Sequence, residues 1–300
     1  MPNTAAAREA DREATAARLL KISAGNSYDP EVDIDWQAPQ PAGLMYAPAE
    51  RLSLYGTPTW DALTPQQRIE LSKHEVASIA SIGIWFEVLL MRMLLRHVTG
   101  MDPRSGHVQY ALTEIGDECR HSIMFARMID AFGAPAYQPA AVHRALGRYL
   151  GATAGGIQTF AAALVAEEIL DALQREAMAD ESLQPLVRMV SRIHVVEEAR
   201  HIRFAREELA RQVSASSRPR RLYCRIVVAR AAYTVTHTLI NPQVYAAVGL
   251  DPAQAARVAW ANPHFRATLR WAGSRVTGYF QELGLIEGPA EPIWRAAALL

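Results

Sequence analysis

Apolar side chains return every three or four residues along most of this chain, the period of helices packed on one face. The first long run opens at LTPQQR, where Thr64 stands as N-cap, Pro65 at N1 and Gln67 at N3, a capping-box pattern. It predicts a helix to about His97, stopped by the Gly100–Pro103 turn. A second helix is expected from about Ser105 to Phe132, before Gly133 and Pro135, and a third from about Gly155 to Ala179. A fourth runs from about Leu183 to Ser214, where SASSRPR breaks it. More helices follow, among them Leu222–Ile240 and Pro263–Leu283, punctuated by Pro242, Gly249 and Pro252. No stretch alternates with a strand period over a useful length. Four long helices with short connections specify an all-α four-helix bundle.

The flanks read differently. MPNTAAAREADREATAARLLKISAG is a short amphipathic helix; it lacks the apolar core of a signal peptide, and its acids oppose a transit peptide. Residues Ile34 to Thr64 carry Pro39, Pro41, Pro48 and Pro58 among scattered Trp and Tyr, the pattern of an extended arm wrapped on the domain. The expected organisation is one domain over 1–300: N-terminal helix and arm (1–63), metal-binding core (64–214) and additional helices (215–300). Val76–Leu95 has the length of a membrane span, but Glu87 and Arg92 interrupt it, so a buried bundle helix is expected. Lys+Arg and Asp+Glu both number 31, which gives no basic field for nucleic acid or anionic lipid. Two cysteines, Cys119 and Cys224, make no disulfide framework and fit a reducing cytoplasm.

The chemistry lies on the apolar stripes. In the first core helix Glu87 shares its stripe with Val76, Ala80, Gly83, Leu90 and Leu94. The second, ALTEIGDECRHSIMF, places Glu118 and His121 at i, i+3; the third, ALVAEEILDALQ, carries Glu167 and Glu168; the fourth, RIHVVEEARHIRF, carries Glu198 and His201 at i, i+3. Glu87 and Glu118 are 31 residues apart, and so are Glu167 and Glu198. One helical hairpin therefore occurs twice, each copy giving a lone Glu and then Glu-x-x-His. The same spacing selects Glu167 over Glu168, which lies about 100° around the helix. An unpaired carboxylate inside a bundle costs several kcal/mol, so such acids are neutralised, paired or bound to metal. Four Glu and two His from four helices form the ligand set of a dinuclear carboxylate site, suited to iron or manganese. By analogy with such sites, Glu118 and Glu198 bridge the ions, Glu87 and Glu167 are more terminal, and His121 and His201 each cap one ion.

A single Glu-x-x-His is usually a solvated helical pair; two copies, each preceded at equal spacing by an acid on an apolar stripe, are not. His74 lies about 220° from Glu87 and is no ligand candidate. His97, His107, His143, His237 and His264 read as surface or ordinary core histidines, and Cys119 as a packing residue. Asp117 and Glu197 directly precede a ligand Glu, and each is placed to accept the outer N–H of a histidine from the other hairpin. Arg120 and Arg200, between Glu and His, either neutralise those acids or form exposed helical salt bridges. Asp171, one turn after Glu167, is a weaker candidate for the same layer. The symmetry breaks at one place: four residues before Glu198 stands His194, where the other hairpin has Glu114. His194 is within about 40° of Glu198 on its helix and is read as a seventh ligand, the alternative being a core histidine bonded to the cluster.

Glu87, DECRH, the EEILD segment and HVVEEARH resemble the p-aminobenzoate N-oxygenase family of non-haem diiron enzymes, from about Thr64 to Glu208. The family motif has two Glu…Glu-x-x-His halves and an extra histidine seven residues before the last, here His194. The resemblance implies a ferritin-like core, two Fe (Mn being possible), and activation of O2 through a peroxo species. It further implies transfer of oxygen to an amine nitrogen, with Glu118, Glu198 and His194 central to catalysis. The expected partners are a small-molecule amine, an external electron donor such as a reductase or ferredoxin, and a second copy of the chain, with no nucleic acid or membrane. Gly83 and neighbouring small residues leave room for a flat ligand, and Arg270 or Arg275 could supply the cation for a substrate carboxylate, a surface role being the more common one for either. A diiron hydroxylase or desaturase acting on carbon, and a non-catalytic metal-storage bundle, are the competing readings.

Overall fold

Prolines stand in the first turn of many of the helices, among them those starting at Pro65, Pro185, Pro252 and Pro263. The computed structural model describes residues 5–300 and the side chains of residues 9–300; residues 1–4 of the expected N-terminal helix lie outside the described residues. Three helices precede the bundle: α1 (Ala5–Gly25), α2 (Pro30–Asp33) and α3 (Pro58–Asp61). The core elements follow as α4 (Pro65–Val98), α5 (Gly106–Ala131), α6 (Ala141–Thr153), α7 (Ile157–Ala179) and α8 (Pro185–Ala215). The chain ends with α9 (Arg218–Thr238), α10 (Pro252–Ala261), α11 (Pro263–Ala272), α12 (Ser274–Glu282) and α13 (Glu291–Ala296). No strand forms among the described residues; Met45 and Leu183 share one isolated bridge.

The start of α4 shows how local chemistry sets an element. Thr64 Oγ1 accepts from the Gln67 N–H at 3.2 Å, and Gln67 Oε1 accepts from the Thr64 N–H at 3.0 Å. Both bonds of the capping box are made, and Pro65 occupies N1. α4 is long and apolar enough to cross a membrane by length and composition, yet here it packs against α5, α6 and α7.

α4 pairs with α5 and α7 with α8; contacts of α5 with α8 and of α4 with α7 close the square. This is the ferritin-like four-helix bundle. α1 covers the α5/α8 side, while α9, α11 and α12 lie on α7. The apolar core is divided in two. One cluster includes Leu94, Val108, Leu164 and Leu209, the other Leu71, Met124, Leu186 and Val190. Buried Glu and His side chains occupy the level between them.

Three expectations need correction. The proline-rich arm is not simply extended, because it contains α3 and a 3-10 turn at Ala49–Arg51. It does wrap the domain: Tyr46, Leu52, Leu54 and Trp60 are buried in the second cluster. Pro263–Leu283 is two helices, broken at Gly273, where an added Cβ would stand 2.5 Å from Leu299 Cδ2. Leu299 thus leaves no room for a side chain at the break. α6 has no counterpart in the hydrophobic pattern. Its buried positions are Gly147 and Gly151, whereas Val142, Leu146 and Tyr149 face outward.

The arm is tied to α4 by a buried acid. Ser53 Oγ donates to Glu75 Oε1 at 2.5 Å and its N–H to Glu75 Oε2 at 3.1 Å, with Tyr245 Oη 2.8 Å from Ser53 Oγ. Burial pushes the Glu75 carboxyl up to about 7, the Ser53 bonds opposing the shift only in part.

Two stability predictions follow from these contacts. A Cβ on Gly147 would lie 2.5 Å from the Trp85 ring, whereas on Gly151 it would meet nothing closer than 3.5 Å. Gly147→Ala should lose about 1–3 kcal/mol by overpacking, and Gly151→Ala should gain up to about 1 kcal/mol from helix propensity. Denaturant melts of both variants distinguish the two signs. For Glu75, the raised folded value means that the native state binds more protons than the unfolded state between pH 4.5 and about 7. Wild-type stability is therefore fully present below that window and is lost as pH rises through it. Glu75→Gln should gain about 2.5 kcal/mol relative to wild type between pH 5 and pH 8, as read from melts at both values.

Candidate metal centre

Four helices send the predicted side chains to one level. Glu87 comes from α4, Glu118 and His121 from α5, Glu167 from α7, and His194, Glu198 and His201 from α8; all seven are buried. Donor atoms of Glu118, His121, Glu198 and His201 lie within 4.8 Å of one another. So do those of Glu87, His121 and His194, and those of Glu167, His194 and Glu198.

The two histidines of the repeated motif present the same face. His121 Nδ1 is 3.1 Å from Glu118 Oε2 and 3.2 Å from Glu198 Oε1; His201 Nδ1 is 3.0 Å from Glu198 Oε1 and 3.2 Å from Glu118 Oε1. Their outer nitrogens cross to the opposite hairpin. His121 Nε2 meets Glu197 Oε2 at 2.9 Å, and His201 Nε2 meets Asp117 Oδ2 at 3.0 Å. An outer N–H donated in this way leaves each Nδ1 lone pair aimed inward, the tautomer that metal ligation requires.

Arg200 fills the gap between these outer acids. It is buried, with Nη2 3.2 Å from Asp117 and 3.5 Å from Glu197, and Nη1 donates to Asn26 O at 3.0 Å. Arg120 pairs with Asp117 nearer the surface and reaches Ser27 Oγ. Tyr28 N–H also donates to Glu197. The segment after α1 thus seals this side, a contact over long sequence distance that no local pattern signals.

His194 is held differently. Its Nδ1 donates to Gln174 Oε1 at 2.6 Å, and its Nε2 faces Glu87 Oε1 and Glu198 Oε1, both at 3.6 Å. The Phe125 and His121 rings pack against it. Gln174 was missed from sequence, although it lies two turns after Glu167 on the same stripe. Ser122, which donates to Glu87 Oε2 at 2.9 Å, was missed as well.

Glu168 points away from the centre and is bound by Arg206 at 2.7 Å through both oxygens. Asp171 also leaves the centre, pairing with Arg175 at 2.7 Å and with Arg275 at 3.7 Å. Its expected place beside the ligands is corrected; it turns to the flank where arginines neutralise it. The expected substrate cations are corrected too. Arg275 is exposed on that same flank, and exposed Arg270 donates to Leu300 O at the C-terminus. Gly83 does border the centre, on a cavity of about 20 Å³ that it shares with Glu87, Glu167 and Leu170. His97 and His107 are neither surface nor isolated core residues: their Nε2 atoms are 2.9 Å apart beside Glu208. Arg12 clamps Glu208 through two bonds, and burial holds the His107 imidazole down to about 4.

The electrostatics ask for positive charge at the centre. Burial, with Glu198, Glu118 and Glu87 nearby, pushes the Glu167 carboxyl well above the usual range. Burial likewise raises Glu87 to about 6, despite His194. Burial also acts to raise Glu198, but His201 and His194 overcome it and hold that carboxyl well below the usual range. His121 and His201 are raised far above ordinary imidazoles by the carboxylates, against the opposing effect of burial. Glu87 Oε1, Glu118 Oε1, Glu198 Oε2 and His194 Nε2 are buried without any hydrogen-bond partner. Unsatisfied inward oxygens and an inward imidazole nitrogen fit divalent cations.

A ferritin-like bundle with a buried Glu/His cluster of this kind defines a class of dinuclear metalloproteins. The sequence matches the family described as p-aminobenzoate N-oxygenase AurF over residues 9–284, and the chain belongs to that family of diiron oxygenases. Relatives named only as uncharacterized proteins occur in Mycobacterium bovis and in two strains of Mycobacterium tuberculosis. Each is 28% identical over 247 residues, covering 80% of this chain and 73% of the relative.

The geometry makes the metal content measurable. Elemental analysis after anaerobic loading should give about two irons per chain. Glu118→Ala or Glu198→Ala should drop this below about one, because each lies within reach of both histidine-capped positions. Glu167→Ala should lose iron while Glu168→Ala keeps it; the reverse would mean that α7 is rotated by one residue.

Proposed function

We propose that this protein is a non-haem diiron monooxygenase that N-oxygenates an amine, an aryl amine first of all, to the hydroxylamine, nitroso or nitro level in a biosynthetic pathway. Glu87, Glu118, His121, Glu167, His194, Glu198 and His201 would hold the two ions. Two ferrous ions bound there supply electrons for the reduction of O2. Reducing equivalents come from an external donor, a reductase or ferredoxin, and the working assembly is a homodimer.

The chain's own residues do the rest. Asp117 and Glu197 fix the tautomers of His201 and His121. Gln174 holds His194 with Nε2 inward. The two apolar clusters keep bulk water from both ends of the polar layer. The cavity beside Gly83 gives an amine an approach to the Glu87–Glu167 edge.

The observation that carries the reading is His194. Beyond the four Glu and two His of the repeated hairpin, it adds a neutral nitrogen donor on one side only. Storage sites gain nothing from such a donor, whereas in an oxygenase it would tune the reactivity of the ions the site holds.

Single turnover of the iron-loaded protein with isotope-labelled O2 and a panel of aryl and alkyl amines tests it, products being read by mass. Label should appear on nitrogen. His194→Ala should keep most of its iron, since six donors remain, while N-oxygenation falls roughly 10- to 100-fold. Label on carbon alone would put a hydroxylase or desaturase in its place; full activity in His194→Ala would remove the role given to that residue.

A further inference from the structure

Three neighbouring cavities lie in a row along α4, α7 and α9, the middle one sharing walls with each of the others. The smallest, at Gly83, shares Phe86, Ala166, Glu167 and Val235 with a cavity of about 210 Å³. On its other side it shares Ile79, Leu170 and Leu239 with a cavity of about 90 Å³. Together their walls follow α4 from Glu75 to Met93 and α7 from Gln158 to Ala177. Eighteen or nineteen residues of helix give a trough about 27 Å long. Glu87 and Glu167 border it near the middle. A pocket for one flat ring needs no such length.

The lining is apolar except at a few points. Among the described residues it carries two cations. Arg51 is bound by Glu176 at 2.6 and 2.9 Å and lies over Trp271. Arg230 lines the larger cavity on its exposed side, and no described carboxylate pairs with it. Exposed Tyr149 and Tyr223 flank the same mouth. Along α9, Val235 and Leu239 at the narrow passage lie five and nine residues beyond Arg230, which is about 8 to 13 Å.

Resting on the oxygenase reading above, we propose that the substrate is an elongated amphiphile lying lengthwise in this trough. Its anionic head meets Arg230, its apolar body lies on the walls of the larger cavity, and its amine reaches the Glu87–Glu167 edge. The separation of head and amine selects for a chain-extended molecule over a compact amino acid such as p-aminobenzoate.

Binding to the iron-loaded protein, by calorimetric titration and shift of the thermal midpoint, tests the proposal. One probe series runs from p-aminobenzoate through 4-aminophenyl alkanoates to the octanoate; the other holds neutral 4-alkylanilines of matching length. Affinity for the acids should rise at least about ten-fold along the series. Arg230→Gln should weaken the long acids about ten-fold and leave the alkylanilines within about two-fold. Ala231→Phe, on the same wall, should weaken long probes more than p-aminobenzoate; iron content and melting temperature show that each variant is folded. Flat length dependence, or acids that bind Arg230→Gln unchanged, overturns the proposal. Because binding is read without turnover, label on carbon would overturn the N-oxygenase reading and the placing of the amine, and leave the elongated site with its Arg230 contact standing.

Discussion

Carboxylates concentrated at the centre of an apolar bundle set the terms for the rest of this structure. Glu87, Glu118, Glu167 and Glu198 are buried at one level, and Asp117 and Glu197 are buried just outside it. Several kcal/mol per uncompensated charge would prevent folding unless cations and donors were placed to match. Arg200 supplies one positive charge between the outer acids, and His121 and His201 are held well above their ordinary values by the inner ones. The rest of the demand is of the kind that divalent ions meet. The division of the apolar core into two clusters is the steric side of the same constraint, since a polar layer separates them.

The pairing across hairpins follows from the repeated motif. Asp117 precedes Glu118 but serves His201; Glu197 precedes Glu198 but serves His121. Each helix of the α5/α8 pair thereby orients the imidazole of its neighbour. A change in the spacing of these helices would disturb both tautomers together. The N-terminal segment locks that spacing from outside through Tyr28 N–H and Asn26 O. On the opposite side α4, α7 and α9 leave room, so the centre is braced on one face and approachable on the other.

Symmetry fails at His194 and Glu114. Both occupy the position one turn before a ligand Glu and both are buried. Gln174 gives the histidine a single orientation. Burial, against the attraction of His201, pushes the Glu114 carboxyl far above its usual range. One half of the centre thus has a nitrogen donor where the other has a buried acid, an asymmetry in an arrangement that otherwise repeats.

Periodicity determined the bundle and brought the Glu and His side chains onto inward stripes, because a helix repeats every 3.6 residues and places i, i+3, i+4 and i+7 on one face whatever surrounds it, and the residue types at Thr64, Pro65 and Gln67 determined the cap. Equal spacing of the two hairpins also separated Glu167 from Glu168 before any contact was known. What lay beyond that reach depended on neighbours distant in the chain. α6 was illegible because its glycines, not its apolar side chains, face the core, and only the nearness of Trp85 and Leu89 explains them. The glycine at the 273 break faces Leu299, which leaves no room for a side chain, and the seating of Asp171 on Arg175 and Arg275 depends on which flank of α7 the C-terminal helices cover. Arg270 and Arg275 had the right charge for a substrate anion but face solvent, whereas Arg230 reaches the trough because α9 lies along α7. Local spacing fixes direction around a helix axis; only packing decides what stands opposite.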